Sequence, residues 1–229
     1  MVSSLSVASV YDFKPSPYSS HSLLAAALPA SGDGRRVLDV GCAGGYLAGI
    51  LARRGFRVTG IERPGGSGSD FPAEVDLLEA DLDRGLPPIE DRFSYILCAD
   101  ILEHLRDPAR LLIELRERLA PGGRLVASLP NSGNLYFRLT ILAGRFPQDD
   151  KGLFDRTHLH FYMWKGWADL LAAAGFRIES VRPTGIPVGL AFPRWQDTAA
   201  VRGLEALSYH AARAWRTLFA YQFVVVARP

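Results

Sequence analysis

The sequence predicts a single α/β domain built on a mainly parallel sheet, and three observations carry that prediction. From about residue 35 onward, short apolar runs alternate with segments of helical spacing, as in chains of strand–helix–strand units. The 229 residues, 48% hydrophobic and 22% charged, suit one large domain better than two small ones. A glycine-rich stretch follows the first apolar run, at the position where open parallel sheets bind ligands. We therefore expect one domain over 1–229.

The first half of the chain contains a predicted helical cap, one further helix and four strands. Residues 1–34 are polar and small, and they include a helical patch over 22–28 that Pro29 ends. A helix is predicted over 46–54, because its leucines have helical spacing and Gly55 suits its C-terminal end. The predicted strands cover residues 36–40, 56–61, 74–80 and 93–98.

The second half continues the alternation but contains two interruptions. Asp107 is expected to cap a helix that begins at Pro108 and ends at residue 119, because proline is tolerated in a first turn. We expect residues 132–164 to form a lid over a binding site and residues 184–220 to form a helical insertion before the last strand. The remaining predicted elements are a turn at 121–123, strands at 124–129, 176–181 and 223–227, and a helix at 165–174.

Charge and composition exclude several classes of protein. The formal net charge is +2, which is too small to indicate nucleic acid as a partner. No run approaches the roughly 18 uncharged apolar residues of a membrane span, so we expect no integral membrane association. The N-terminus lacks the basic and apolar regions of a secretory signal. Two cysteines cannot form a disulfide framework, which favours a cytoplasmic location.

The glycine-rich stretch after the first strand is the strongest functional signal. Small residues at 41–45 let the backbone approach a ligand closely, and the following helix offers free N–H donors. Ala43 and Tyr46 stand where a dinucleotide fingerprint needs glycines, and no Gly-Lys-Ser/Thr phosphate loop is present. Glu62 ends the second strand roughly 20 residues after Gly41, where an acid accepts hydrogen bonds from ribose hydroxyls. The pattern indicates an adenosine ligand.

The residues 37–46, Val-Leu-Asp-Val-Gly-Cys-Ala-Gly-Gly-Tyr, resemble motif I of the class I S-adenosylmethionine-dependent methyltransferases. Ala43 stands where that motif usually has its middle glycine. Three later segments, 79–82, 93–105 and 119–125, resemble the family's adenine-contacting acid, its fourth strand with the following helix, and its turn into the fifth strand. The resemblance covers about residues 35–183 and 221–228.

The resemblance implies a fold, a cofactor and an activity. The fold would be a Rossmann-like, seven-stranded, mostly parallel sheet of order 3-2-1-4-5-7-6, with helices on both faces. The cofactor would be S-adenosylmethionine, and the acceptor a small molecule methylated on oxygen. Methylation of carbon or nitrogen, and a catalytically inert cofactor-binding protein with a regulatory or assembly role, remain alternatives.

The resemblance also assigns roles to individual residues. Glu62 would bind the ribose, and Asp81 with Leu82 would bind the adenine. Asp100 would lie near the amino end of the cofactor or close to the transferred methyl. The residues placed around the methionine part are Asp39, Gly41, Cys42, Ala43 and Gly45.

His104 and His158 are the candidate catalytic bases. His104 follows Asp100 by four positions, so we expect both on one face of a helix. His158 lies in the segment 155–162, Asp-Arg-Thr-His-Leu-His-Phe-Tyr, which is similar to one found in bacterial small-molecule and glycan-cluster methyltransferases. In strand-like geometry its alternate residues 158, 160 and 162 would share a face. We expect His158 to act there as a base or acceptor-positioning group, and the alternative is that the segment braces the lid by hydrogen bonding. We expect no metal, since no further ligand stands at a recognisable spacing.

The segments 132–164 and 184–220 each contain an apolar pattern. The stripe at 135–142, which includes Phe137, is expected to line the acceptor pocket, although such stripes more often pack in a core or lid. An amphipathic helix within 199–220 carries Leu204 and Leu207 with arginines interspersed. Packing onto the sheet is preferred for it, followed by a homodimer contact and then a membrane-surface face.

Overall fold

The computed structural model describes residues 16–229 and contains one seven-stranded sheet with helices on both of its faces. The strands are β1 (Arg36–Val40), β2 (Arg57–Glu62), β3 (Asp76–Glu79), β4 (Phe93–Ala99), β5 (Leu119–Pro130), β6 (Arg177–Pro183) and β7 (Gln222–Arg228). The helices are α1 (Ser20–Ala27), α2 (Tyr46–Arg53), α3 (Pro108–Glu117), α4 (Leu135–Leu142), α5 (Trp164–Ala173), α6 (Val188–Ala191), α7 (Ala199–Ala214) and α8 (Arg216–Phe219).

The strand order is β3-β2-β1-β4-β5-β7-β6, which confirms the expected topology. The pairs β1–β2, β1–β4, β2–β3 and β4–β5 are parallel. Strand β7 runs antiparallel to both of its neighbours, so the sheet is mostly parallel. Because β1 lies between β2 and β4, the strand order reverses there, and a crevice forms beyond the carboxyl ends of these strands.

Successive residues of the central strands face two separate cores. Val37 contributes to a cluster with apolar side chains of α1 and α2, whereas the next residue, Leu38, belongs to a cluster with α3 and α5. This alternation follows from the two-residue period of a strand. The two clusters fix the sheet between two helical layers and hold the carboxyl ends of the strands in place.

Most predicted elements match the structure, and the largest difference is in β5. That strand begins at Leu119 and so includes the predicted turn at 121–123, because Leu119 already pairs with Phe93 and an irregularity follows before Tyr95. The helix predicted from Pro108 is confirmed, and the Asp107 side chain accepts a hydrogen bond from the backbone N–H of Arg110 at 3.0 Å. Of the predicted N-terminal cap, residues 1–15 lie outside the described residues.

The amphipathic helix expected within 199–220 is present as α7, but the residues on its buried face differ from the expected ones. Helix α7 buries Val201, Glu205 and Ala212, while Leu204 and Leu207 are exposed. The buried face is fixed by a polar contact, because the carboxylate of Glu205 accepts a hydrogen bond from the backbone N–H of Gly189 at 2.9 Å. The helix packs onto the sheet as preferred, but it does so through residues such as Ala212 rather than through the two leucines, and a homodimer contact stays a prediction. No helix within residues 16–229 has the length and apolar character needed to cross a membrane.

Candidate functional site

A cavity of about 600 Å³ lies beyond the carboxyl ends of β1, β2 and β4. It is the crevice that the reversal of strand order creates. Most of the residues predicted from the sequence line it: Asp39, Gly41, Cys42, Ala43, Glu62, Asp81, Leu82, Asp100 and His104. Gly45 and His158 are not among its lining residues.

The loop between β1 and α2 has a conformation that explains its glycines. Gly41 has φ +73°, and a Cβ there would lie 2.7 Å from Cδ1 of Ile101. Gly45 is the left-handed N-cap of α2 and supports the loop from behind. Ala43 also has a positive φ of +46°, which costs an L-residue about 1–2 kcal/mol. Its backbone N–H donates to Oε2 of Glu62 at 2.8 Å, so the acid that ends β2 also holds the loop.

Asp39 is a buried carboxyl group in the wall of this cavity. Its exposed fraction is 1%, and its Oδ1 has no hydrogen-bond partner among the described residues. Burial, followed by the charge of Glu62, raises the pKa of Asp39 to about 7. A buried acceptor that lines a cavity without a partner is suited to a ligand that brings a donor or a positive charge.

Cys42 and Cys98 are buried thiols close to Asp39. Burial, followed by the charge of Asp39, raises the pKa of both. They are free cysteines, so neither is disulfide-bonded. Because the thiolate is the reactive form and a raised pKa disfavours it, both cysteines pack as small apolar side chains and do not act as nucleophiles.

Asp100 has a strained backbone that directs it into the cavity. Its φ is +52°, a left-handed conformation that is uncommon outside glycine. The backbone N–H of Asp100 donates to Oγ of Ser128 at 3.0 Å, and the Ser128 hydroxyl donates to Oδ1 of Asp100 in a short hydrogen bond. Nε2 of Gln222 donates to the same oxygen at 2.9 Å. Residues on β5 and β7 therefore fix the rotamer of Asp100.

The expectation that Asp100 and His104 share a helical face is wrong. After the left-handed turn at Asp100, the chain forms only a short 3₁₀ turn, Leu102–His104. Both side chains nevertheless reach the same cavity, because the turn folds over its rim.

His104 is held by contacts with the segment 155–157. Its Nδ1 lies 3.0 Å from Oγ1 of Thr157 and 3.2 Å from the carbonyl oxygen of Thr157. The Thr157 hydroxyl donates to Oδ1 of Asp155 at 2.6 Å, and the backbone N–H of Thr157 donates to the same oxygen at 2.8 Å. Asp155 is 2% exposed, so a buried carboxylate fixes the threonine that contacts the imidazole.

The segment 155–162 belongs to no strand of the sheet, since the backbone N–H groups of Leu159 and His160 both donate to the carbonyl oxygen of Glu103. Its side chains alternate as expected, because residues 158, 160 and 162 are half-buried and residues 159 and 161 are exposed. His158 packs edge-to-face on His104, with 4.8 Å between the ring centroids, while His160 stacks on Tyr162. Burial, followed by the charge of His104, lowers the pKa of His158 to about 4. We infer a bracing position for His158 behind His104.

Phe137 does not line the cavity. It stacks on Phe154 with 4.3 Å between ring centroids and also contacts Phe146 and Phe161. These four rings form an aromatic cluster within the segment 132–164. The more common interpretation of the stripe, packing within a lid, matches this position better than the predicted pocket lining does.

Four residues of the site were not identified from the sequence, namely Glu103, Ser128, Thr157 and Gln222. Thr157 had a signal, since it stands between Asp155 and His158 in the segment singled out above. The others are ordinary strand or turn residues whose role depends on strands that are distant in sequence.

Glu103, His104 and His158 form a candidate metal cluster. Each offers one ligand atom, and these atoms lie within 4.8 Å of one another. Nε2 of His158 and Oε1 of Glu103 are 3.9 Å apart. Metal–ligand bonds of about 2.1 Å at tetrahedral angles place ligand atoms about 3.4 Å apart. The three groups would have to move closer together to bind one ion, and the steps proposed below do not use a metal.

Similarity to known proteins identifies the family of this chain. A family model described as a methyltransferase domain matches residues 16–181, most of the chain. This chain belongs to the class I S-adenosylmethionine-dependent methyltransferase family. The methyltransferase is similar in fold to an S-adenosylmethionine-dependent methyltransferase from Mesorhizobium loti, with a TM-score of 0.60 and 22% identity over 92% of this chain and 98% of the other.

Two curated relatives are ubiquinone biosynthesis O-methyltransferases. The protein from Xylella fastidiosa is 30% identical over 185 residues, which cover 77% of this methyltransferase and 72% of the relative. The protein from Alkalilimnicola ehrlichii is 32% identical over 121 residues, which cover 50% and 49%. The methyltransferase spans about half the length of several curated relatives that it matches.

The cofactor of this methyltransferase is S-adenosylmethionine, and the cavity fits that molecule. S-adenosylmethionine carries a sulfonium and an ammonium group. The cavity wall contains the carboxyl groups of Asp39, Glu62, Asp81 and Asp100. The unpartnered Oδ1 of Asp39 and the close-packed loop at Gly41 are the two features that favour a cationic ligand held against the backbone.

Proposed function

We propose that this methyltransferase transfers the methyl group of S-adenosylmethionine to a hydroxyl oxygen of a small-molecule acceptor. The observation that carries the proposal is that one cavity is lined both by the carboxyl groups of Asp39, Glu62 and Asp81 and by the imidazole of His104. Acidic groups suit the cofactor, and an imidazole suits the removal of a hydroxyl proton. The sulfonium of the cofactor supplies the electrophilic methyl carbon.

The cofactor's orientation follows from the lining residues. Glu62 binds the ribose hydroxyls, since its two oxygens have acceptor capacity beyond the hydrogen bond from Ala43. Asp81 and Leu82 bind the adenine in this proposal, which is supported by their position in the cavity lining at the start of the 3₁₀ turn Leu82–Arg84. The methionine part lies along Asp39, Gly41, Cys42 and Ala43, which Gly45 supports. This arrangement directs the amino end of the cofactor toward Asp100.

His104 is the general base in this arrangement, and His158 positions it. His104 lines the cavity, whereas the side chain of His158 is only 7% exposed and lies outside the lining. Holding an acceptor hydroxyl about 3–3.5 Å from the methyl, and on its axis, contributes several kcal/mol to lowering the barrier. A well-placed base adds about 10²–10⁴-fold.

Oxygen is the favoured acceptor atom for two reasons. A hydroxyl is a weak nucleophile until it loses its proton, so a base beside the methyl is useful for oxygen. The curated relatives carry the name O-methyltransferase, which supports the same atom here. The net charge of +2 argues against a nucleic-acid acceptor.

Two measurements test the proposal in sequence. Calorimetric titration with S-adenosylmethionine and, for comparison, NAD should show binding of the first only. Mass spectrometry of reactions with a panel of hydroxylated metabolites should then show a product heavier by one methyl group, and His104→Ala should slow its formation about 10²-fold or more.

The alternatives predict different results. Carbon or nitrogen methylation would leave the rate of His104→Ala close to that of the wild type. A catalytically inert binding protein would bind the cofactor and give no methylated product from any acceptor in the panel. A preference for NAD would contradict the proposal at its first step.

A further inference from the structure

We propose that Thr157 and Asp155 are positioning residues that fix the proton of His104 on Nδ1 and so leave Nε2 as the basic atom. The catalytic part of this inference rests on the proposed function, while the protonation pattern is a property of the chain alone. The two parts can therefore be tested separately.

The hydrogen bonds around Asp155 decide which atom donates. Oδ1 of Asp155 accepts from the backbone N–H of Thr157 at 2.8 Å and from its hydroxyl at 2.6 Å. A carboxylate oxygen with two donors directed at it carries no proton itself. The single hydrogen of the Thr157 hydroxyl is therefore committed to Asp155.

That commitment determines the state of the imidazole. With its hydrogen used, Oγ1 of Thr157 can only accept a hydrogen bond, and it lies 3.0 Å from Nδ1 of His104. The carbonyl oxygen of Thr157, 3.2 Å from the same nitrogen, is also only an acceptor. Two acceptors that face Nδ1 require a proton on Nδ1, and the neutral ring then has none on Nε2.

Backbone hydrogen bonds on both sides of Thr157 hold this residue next to His104. The backbone N–H of Asp155 donates to the carbonyl oxygen of Gly152, and that of His158 donates to the carbonyl oxygen of Asp155. Further along, the backbone N–H groups of Leu159 and His160 donate to the carbonyl oxygen of Glu103, the residue next to His104. These hydrogen bonds keep Thr157 close to the imidazole of His104.

The consequence for the reaction is a defined path for the proton. The acceptor oxygen forms its bond to the methyl carbon as the carbon–sulfur bond of the cofactor breaks, and the electrons of that bond remain on sulfur. The hydroxyl proton passes to Nε2 of His104. The resulting imidazolium keeps its Nδ1–H directed at Thr157, with the Asp155 carboxylate behind it.

The test uses the ¹⁵N chemical shifts of His104 in the full chain, recorded where the spectrum shows a neutral ring. The wild type and Thr157→Ser should show protonated Nδ1 and bare Nε2. Thr157→Val should show more rings protonated on Nε2 than the wild type, because one of the two acceptors at Nδ1 is lost while the backbone carbonyl remains. Asp155→Ala should raise that fraction further, because the freed Thr157 hydroxyl can donate to Nδ1 and compete with the carbonyl acceptor. Thr140→Val is the matched control, since Thr140 lies on α4 and its hydroxyl donates to the carbonyl oxygen of Tyr136 within the same helix.

Turnover provides the second readout. Thr157→Val should lower kcat at least about tenfold while the Kd of S-adenosylmethionine stays within about twofold, and Thr157→Ser should restore most of kcat. A wild-type ring that is protonated on Nε2 would overturn the inference, as would a Thr157→Val protein whose spectrum and kcat match those of Thr140→Val. If no acceptor is methylated, the proposed function fails, and the tautomer spectra still decide the positioning role.

Discussion

Gln222, the first residue of β7, donates a hydrogen bond from Nε2 to Oδ1 of Asp100, which directly follows β4, at a distance of 2.9 Å. The two residues are joined across β5, whose Ser128 contacts the same carboxylate oxygen. Asp100 therefore keeps a left-handed backbone and a fixed rotamer because three strands converge on it.

We expect Gln222→Leu to weaken binding of S-adenosylmethionine roughly 5-fold, because a typical intramolecular hydrogen bond contributes about 1 kcal/mol and the loss acts on the cofactor only through Asp100. Calorimetric titration measures the change. Gln148→Leu, an exposed glutamine in the lid segment, is the matched control. Equal affinities of the two variants would show that Gln222 does not orient Asp100.

Glu62→Ala should weaken cofactor binding by about 1–3 kcal/mol, since the carboxylate both supports Ala43 and accepts the ribose hydroxyls. The change in Kd is again measured by calorimetry. Glu179→Ala, which removes a surface acid that pairs with Arg124 and Arg228 on other strands, should leave the Kd unchanged. An unaltered Kd in Glu62→Ala would remove that residue from the cofactor site.

The raised pKa of Asp39 predicts that the stability difference between the wild type and an Asp39→Asn variant depends on pH. Its pKa is about 7 when folded and about 4 when unfolded. Between these values the folded state binds the extra proton, so the free energy of unfolding falls as pH rises from about 4 to 7. Without cofactor, Asp39→Asn should therefore gain a few kcal/mol over the wild type at pH 8 and little at pH 4. Urea unfolding of both proteins at the two pH values measures this difference, and a constant difference would contradict it.

Phe137→Ala should lower the free energy of unfolding by about 3–5 kcal/mol, because it removes a ring stacked on Phe154 in the aromatic cluster. Phe192→Ala removes an exposed ring and should change stability by less than about 0.5 kcal/mol. Urea unfolding measures both changes, and an equal loss of stability in the two variants would contradict this packing role of Phe137.

The cofactor half of the cavity could be predicted from the sequence because its residues follow two strands in a fixed pattern. Gly41 and Glu62 directly follow or end β1 and β2, which lie side by side, so spacing along the chain translates directly into distance. The acceptor half could not be predicted in the same way. His104 contacts Thr157 only because residues far apart in sequence fold onto one another. The spacing of apolar residues along the chain does not predict such a contact.

The sequence by itself determined the alternation of strands and helices, the glycine loop and the acid at the end of β2, because these depend on local propensity and on a two-residue or 3.6-residue period. The tertiary structure alone decided the left-handed turn at Asp100, the non-strand path of the segment around His158 and the exposed leucines of α7. In each case hydrogen bonds to distant partners, such as Gln222, the carbonyl of Glu103 and Gly189, outweigh the local preference of the chain.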